Sequence, residues 1–242
     1  MIPQAPELTF SIVSHGQGAL IRSLLSDIKL RVGVTYEILI TINIPEDEFF
    51  LSDFKNFPIT IIRNKVPKGF GENHNKAFFK SRGNFFAVVN PDIRLLEDLE
   101  VKQLLVQFLD PCIGVISPAV FSSDGVLQDS ARKFPTIGSL MLRRCGINKP
   151  DYIYGVRPFD VEWVAGMFMV FSRSSFKLVG GFDSRYFMYM EDADICRRLS
   201  QLGLKVVVVP SIKVIHDARR ASRRNFQHFI WHCKSAALFL LG

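Results

Sequence analysis

Residues 8–43 read LTFSIVSHGQGALIRSLLSDIKLRVGVTYEILITIN. Leu8–Ser14 is short, apolar and partly β-branched, the composition of a buried strand. Leu20, Ile21, Leu24, Leu25 and Ile28 then recur at helical spacing within Gln17–Leu30, and Tyr36–Asn43 returns to a strand pattern. Strand, helix and strand in so short a span form a crossover unit, whose two strands lie parallel with the helix on one face of the sheet.

The alternation continues. ITIIR (59–63) reads as a third strand, Gly69–Gly71 as a turn opening a helix that runs to Lys80, and NFFAVVN (84–90) as a buried strand. Glu97–Leu109 has helical spacing and Ile113–Ser117 returns as a strand, which makes about five α/β units in the first half. Ser122–Pro158 reads as loop, Trp163–Phe171 as one apolar strand, Asp192–Leu202 as a helix and Lys205–Val209 as a strand. The fold class is therefore α/β, with a Rossmann-like, mostly parallel central sheet flanked by helices. No repeat or linker divides the chain, so one domain is expected over 1–217, followed by a basic amphipathic helical segment over 218–242. In such sheets ligands sit outside the carboxyl ends of the strands.

Composition narrows the class without naming it. The 242 residues carry 30 Lys and Arg against 23 Asp and Glu, a formal charge of +7, with 22 Phe and 48% hydrophobic content. That much apolar surface would collapse, which excludes a disordered chain, and the length suits one large domain. Cys112, Cys145, Cys196 and Cys233 form no C-x-x-C pair, so four buried thiols in a reducing compartment are expected. MIPQAPELTF has neither a basic nor an apolar leader region, and Trp163–Phe171 is nine residues, about half of a bilayer crossing. A cytoplasmic protein, soluble or peripheral, is the expectation. Arg219, Arg220, Arg223 and Arg224 concentrate the basic excess near the end, pointing to an anionic surface; no nucleic-acid-binding signature accompanies them.

Four places hold residues suited to chemistry. Asn90-Pro91-Asp92 follows a strand that Pro91 terminates, leaving Asp92 where a hard cation or a sugar hydroxyl could meet it. Glu191-Asp192-Ala193-Asp194 follows the aromatic stretch RYFMYM, whose rings would desolvate a carboxylate and raise its pKa toward that of a general base. Acidic residues also suit a helix start for structural reasons. His216 follows KVVVVPSIKVI and, placed beside Asp92, would pair imidazole with carboxylate around a divalent cation. Lys68–Asn75, KGFGENHN, is a glycine turn that could bring backbone N–H groups close to a ligand.

Taken together, SIVSHG, GFGENHNKAF, NPD, RKFP, WVAGMFMVFSR, GGFDSRYFMYMEDADICRRLSQLG and VVVVPSIKVIHDAR resemble the family 2 glycosyltransferases. They are most similar to bacterial rhamnosyltransferases of O-antigen and cell-wall polysaccharide assembly, over about residues 8–235. The resemblance implies a GT-A fold and an inverting transfer from a nucleotide sugar. It matches Asp92 and His216 to a divalent metal site (Mg²⁺ or Mn²⁺), Asp192 to the catalytic base and Glu191 to an orienting carboxylate. Ser14, His15, Gly69, Gly71, Asn75 and Asn90 fall at the nucleotide-sugar site, with Asn90 in the first place of the usual D-x-D. The implied donor is dTDP-rhamnose and the implied acceptor a lipid-linked or other oligosaccharide. A different nucleotide sugar, or a catalytically silent nucleotide-binding protein of an assembly complex, remains as the alternative.

At the carboxyl end, Phe226, Phe229, Ile230, Cys233, Ala237, Leu240 and Leu241 form one helical stripe with Arg223, Arg224, Gln227, His228 and Lys234 off it. Such a helix suits the plane of an anionic membrane on the inner face of the cell membrane, and equally suits packing on its own domain.

Overall fold

The computed structural model describes residues 5–96, 100–144, 149–216 and 226–242. In chain order the elements are β1 (Leu8–Ser14), α1 (Gly18–Arg31), β2 (Tyr36–Ile42), β3 (Ile59–Arg63), α2 (Phe70–Lys80), β4 (Phe85–Val89), β5 (Ile93–Leu95), α3 (Val101–Leu105) and β6 (Ile113–Phe121). There follow β7 (Ala131–Arg132), α4 (Ile137–Arg144), β8 (Phe159–Val161), β9 (Trp163–Val164), β10 (Phe168–Ser172), α5 (Arg173–Leu178), α6 (Glu191–Gln201), β11 (Lys205–His216) and α7 (Phe226–Leu241).

The main sheet has the order β3-β2-β1-β4-β10-β6-β11-β5, with β8 against β11. β1, β2, β3, β4, β6 and β11 share one direction, while β10 runs antiparallel between β4 and β6, so the sheet is mostly parallel as expected. Successive strand residues face opposite layers, which is why the strands read as continuous apolar runs. Phe10, Ile12, Val89 and Val170 pack with Ile21, Leu25 and Ile28 of α1, and Phe86, Val88, Met169 and Phe171 pack with Phe78, Phe176 and Leu199 on the other face.

Three differences from the sequence reading matter to the site. The apolar run at 163–171 is two strands, β9 and β10, parted at Ala165–Met167. The last strand runs on to His216 through a register shift between Val209 and Lys213, because the bulge absorbs Pro210, which cannot donate to a ladder. The segment 122–158 holds β7 and α4 rather than loop alone.

α7 packs by a different face from the predicted stripe. Trp231 stacks against Phe187 at 4.8 Å, Ser235 Oγ donates to Met188 O (2.8 Å), and Arg197 stands over the buried Phe239 ring at 4.1 Å. Phe229, Ile230, Cys233, Leu240 and Leu241 lie exposed. Buried thiols were expected, yet Cys112 and Cys233 are exposed and only Cys196 is buried among the described cysteines. Cys145 and the basic cluster Arg219, Arg220, Arg223 and Arg224 lie outside the described residues. Among the described residues no helix is long and apolar enough to cross a membrane.

Candidate active site

The carboxyl ends of β1 and β2 meet the start of α2 through a ladder of asparagines. Asn43 donates its backbone N–H to Ser14 O (2.9 Å), and its Oδ1 accepts from Lys68 N–H (2.8 Å) and Asn64 Nδ2 (2.9 Å). Asn43 Nδ2 donates to Lys68 O (3.0 Å) and approaches His15 Nδ1 (3.3 Å), and Asn73 Oδ1 accepts from Asn64 Nδ2 (2.6 Å). Buried Ser14 accepts from Gln17 N–H (3.2 Å) at the start of α1, while His15 is exposed above the ladder. Three short amides thus hold Lys68 and the glycine turn rigidly against the sheet. Nothing in the periodicity of the chain marks Asn43, Asn64 or Asn73 for this.

Gly69, Gly71 and Asn75 face the 182–187 segment. A Cβ on Gly69 would stand 2.7 Å from Phe187 O, and one on Gly71 would stand 2.5 Å from Phe182 Cβ. Asn75 holds Phe182 with two bonds, Nδ2 donating to Phe182 O (2.7 Å) and Oδ1 accepting from Phe182 N–H (2.9 Å). Their contacts fix the loop that precedes Glu191. Beneath them His74 is fully buried, its Nδ1 2.8 Å from Ser11 Oγ and its ring against Phe70 at 4.5 Å, and burial pushes its pKa down to about 3.

The NPD turn and the last strand come together at the next edge. β11 pairs antiparallel with β5, His216 opposite Ile93, which sets His216 Nε2 3.3 Å from Asp92 Oδ1. Asp92 Oδ1 is buried and accepts no hydrogen bond. An orphaned carboxylate oxygen beside an imidazole nitrogen is a donor pair that a divalent cation fits. Among the described residues no group of three or more His, Cys, Asp or Glu converges, so these two would be the chain's share of a coordination sphere. Gln128 holds the far side of His216, a contact the sequence reading passed over.

The second pole is the start of α6. Tyr189 and Met190 adopt left-handed backbone (φ 72° and 65°), sparsely populated for side chains of this size, and the strain throws Glu191 and Asp192 into the first turn. Asp192 Oδ2 accepts from Gly166 N–H (3.0 Å) and Oδ1 from Ala193 N–H (2.9 Å). Burial and then the charge of Asp192 push Glu191 well above the carboxylate range, and Glu191 Oε2 is buried without a partner. Burial raises Asp192 as well, against the N–H groups of Gly166 and Ala193 and the charge of Arg132. Asp194 differs: it is buried in ion pairs with Arg198 (2.7 Å) and Arg197 (3.3 Å), and Arg198 also donates to Val179 O and Gly181 O. Asp194 is structural.

The break between β9 and β10 joins the two poles. Asn90 donates its N–H to Met167 O (2.9 Å), and the next residue back, Gly166, is the one held by Asp192. A glycine inside an apolar strand pattern was the signal for such an approach.

A mixed sheet with a nucleotide-type edge, a carboxylate–imidazole pair and a desolvated carboxylate pair is the equipment of a sugar-transferring enzyme. A family profile described as the N-terminal domain of galactosyltransferase matches residues 145–223. Rhamnosyltransferase WbbL of Escherichia coli is 32% identical over 249 residues, covering 95% of this chain and 90% of that protein. The N-acetylglucosaminyl-diphospho-decaprenol L-rhamnosyltransferase of Mycobacterium tuberculosis is 34% identical over 143 residues, 54% of this chain and 46% of its own length. Among solved structures, GalNAc-T7 with UDP, GalNAc and Mn²⁺ superposes with TM-score 0.67 at 17% identity, covering 90% of this chain and 45% of that one. The Pyrobaculum calidifontis mannosyltransferase PcManGT with GDP-Man and Mn²⁺ gives 0.66 at 15% identity, covering 98% and 65%. The fold is the GT-A glycosyltransferase fold. The chain belongs to the family 2 glycosyltransferases of the rhamnosyltransferase type, and it is a hexosyltransferase.

Proposed function

We propose that the protein transfers L-rhamnose from dTDP-rhamnose, with inversion, to a lipid-linked oligosaccharide acceptor in surface-polysaccharide synthesis. The names of the two rhamnosyltransferases support the sugar, and the decaprenol-linked acceptor in the name of the second supports the lipid. The single observation that carries the chemistry is the pairing of Glu191 with Asp192 in one turn, anchored through Gly166 beside the NPD turn.

Two carboxylates side by side in a desolvated pocket divide their roles, because one proton relieves their repulsion. Glu191, pushed higher, keeps that proton and can donate to a sugar hydroxyl. Asp192 keeps the charge, is aimed by the Gly166 and Ala193 N–H groups, and takes the proton from the attacking acceptor hydroxyl. With one base and no protein nucleophile, attack comes from the face opposite the leaving diphosphate, and the anomeric centre inverts. Asp92 and His216 would hold a divalent cation, Mg²⁺ or Mn²⁺. Bound there, it supplies charge stabilisation to the departing nucleoside diphosphate. Support for a metal comes from the orphaned Asp92 Oδ1 and from the Mn²⁺ in the two solved relatives. His15 and Asn90 stand at the edge where the nucleotide would lie, Ser14 is buried beneath it and shapes the turn into α1, and Gly69, Gly71 and Asn75 fix the 182–187 segment beside it.

The exposed stripe Phe229, Ile230, Leu240 and Leu241 of α7 supports peripheral docking on the inner membrane face, where a lipid-linked acceptor is presented.

The test is Asp192→Asn. Transfer should fall by about 10³-fold or more, as for loss of an essential base, while dTDP-rhamnose still raises the melting temperature. Retained turnover refutes the base, and a melting shift from some other nucleotide sugar but not from dTDP-rhamnose refutes the donor.

A further inference from the structure

We propose that Gln128 sets the tautomer of His216 and thereby makes the Asp92–His216 pair a cation-binding pair; the proposal rests on the metal reading above and deepens it. After β6 the chain reverses at Ser122–Gly125, where Gly125 (φ 78°) donates to Ser122 O (2.9 Å), and comes back along the strand it has just left. Gln128 N–H donates to Val120 O and Gln128 O accepts from Ser130 N–H, both at 2.8 Å, so the backbone of Gln128 is pinned on both sides. β11 runs parallel to β6 with Val214 opposite Val120 and Ile215 opposite Phe121, which delivers His216 to the level of Gln128.

The amide then meets His216 twice. Gln128 Nε2 donates to His216 O (2.7 Å), and Gln128 Oε1 lies 3.0 Å from His216 Nδ1. A backbone carbonyl only accepts, so the amide nitrogen must face it and the amide oxygen must face the ring. An amide oxygen only accepts too, so Nδ1 carries the hydrogen. In the neutral ring the lone pair therefore sits on Nε2, the atom 3.3 Å from Asp92 Oδ1. Two acceptors face each other there, and Asp92 Oδ1 has no hydrogen bond. That arrangement is unfavourable by itself and is relieved by a cation between the two atoms. With the opposite tautomer an Nε2–H would bond Asp92 directly and close the site. Outer groups that orient metal-binding imidazoles in this way carry much of a site's affinity.

The near-isosteric Gln128→Met removes both bonds, and Gln128→Glu keeps an acceptor for Nδ1–H while losing the donor to His216 O. In the metal-free full chain, ¹⁵N–¹H correlation of the His216 ring should show Nδ1–H in the parent and in Gln128→Glu, and an Nε2–H population in Gln128→Met. Calorimetric titration with MnCl₂ in the presence of dTDP should show affinity about 10–100-fold weaker in Gln128→Met, with recovery in Gln128→Glu. An unchanged Nδ1–H tautomer in Gln128→Met overturns the proposal, as does a flipped tautomer with Mn²⁺ affinity within twofold of the parent. A flipped tautomer with no Mn²⁺ binding to either protein overturns instead the metal reading on which the proposal rests. Should Gln128→Met fail to fold, loss of the Nδ1–H signature in Gln128→Glu overturns the proposal.

Discussion

His74 offers a quantitative test of the packing beneath the glycine turn. The ring is fully buried between Phe70 and Phe182, bonds Ser11 Oγ and meets no carboxylate among the described residues, and burial pushes its pKa down to about 3. In the unfolded chain an imidazole titrates near 6.5. The native state thus stays neutral at this position while the unfolded state takes up a proton as the pH falls through about 6.5. The contribution to stability is fully present above that pH and is lost progressively toward about 3. Between pH 7 and pH 5 the loss is about 1.5 pH units at about 1.4 kcal/mol per unit, or about 2 kcal/mol. For a chain of this size that lowers the melting temperature by about 4–8 °C. His74→Phe keeps an aromatic ring in the pocket and cannot titrate. Its lost bond to Ser11 costs the same at both pH values and cancels in the comparison. Urea or thermal unfolding of both proteins at pH 7 and pH 5 should show the parent losing about 2 kcal/mol more than His74→Phe. Parallel losses would mean that native His74 accepts a proton in this range, and the account of its burial would be wrong.

Arg132 lowers the pKa of Asp192 through its charge, so Arg132→Ala should move the acid limb of the kcat/KM profile to higher pH, measured as initial rates from pH 5 to 8. Arg198→Ala removes the guanidinium that joins Asp194 to Val179 O and Gly181 O; with Arg198 partly exposed and Arg197 still in place, the cost should be about 2–3 kcal/mol, read as a melting temperature lower by about 5–10 °C. Chelation by EDTA should abolish transfer and added Mn²⁺ restore it, with Asp92→Asn requiring at least tenfold more Mn²⁺ for half-maximal rate.

The α/β alternation was legible because the central strands are buried on both faces and each helix on one, so short continuous apolar runs alternate with a 3.6-residue period in residues 8–43 and 59–117. Partnerships between distant segments were not. Gly166 looked like one residue of a continuous strand because the carboxylate that holds its N–H lies 26 positions later. The three-residue β5 exists only by its register with β11, and β11 reaches His216 only because a bulge carries it past Pro210. On α7 the apolar stripe was real, but the helix docks by Trp231, Ser235 and Phe239, whose partners Phe187, Met188 and Arg197 flank or lie in the first turns of α6. Asp92, His216, Glu191 and Asp192 could be singled out because their residue types are costly to bury without a purpose. Gln128 and the Asn43 ladder could not, since a lone amide in a polar stretch carries no pattern.

The reversed strand explains why the two poles face one site. An open parallel sheet gathers ligands at the carboxyl ends of its strands, and β1 and β4 obey that rule by delivering Ser14 and Asp92 to one edge. Because β10 runs antiparallel, its beginning lies at that same edge: Phe168 stands opposite Val89, and Met167 O receives Asn90 N–H. The residue before Met167 is the glycine that Asp192 grips, so the first turn of α6 is anchored within two residues of the NPD turn's own hydrogen bond. Were β10 parallel, Ser172 would occupy that edge and Gly166 the opposite one, and the carboxylate pair would have no anchor beside Asp92. The antiparallel insertion is therefore what brings the Glu191–Asp192 pair to the sheet edge that carries Ser14 and the NPD turn, the arrangement on which the proposed transfer relies.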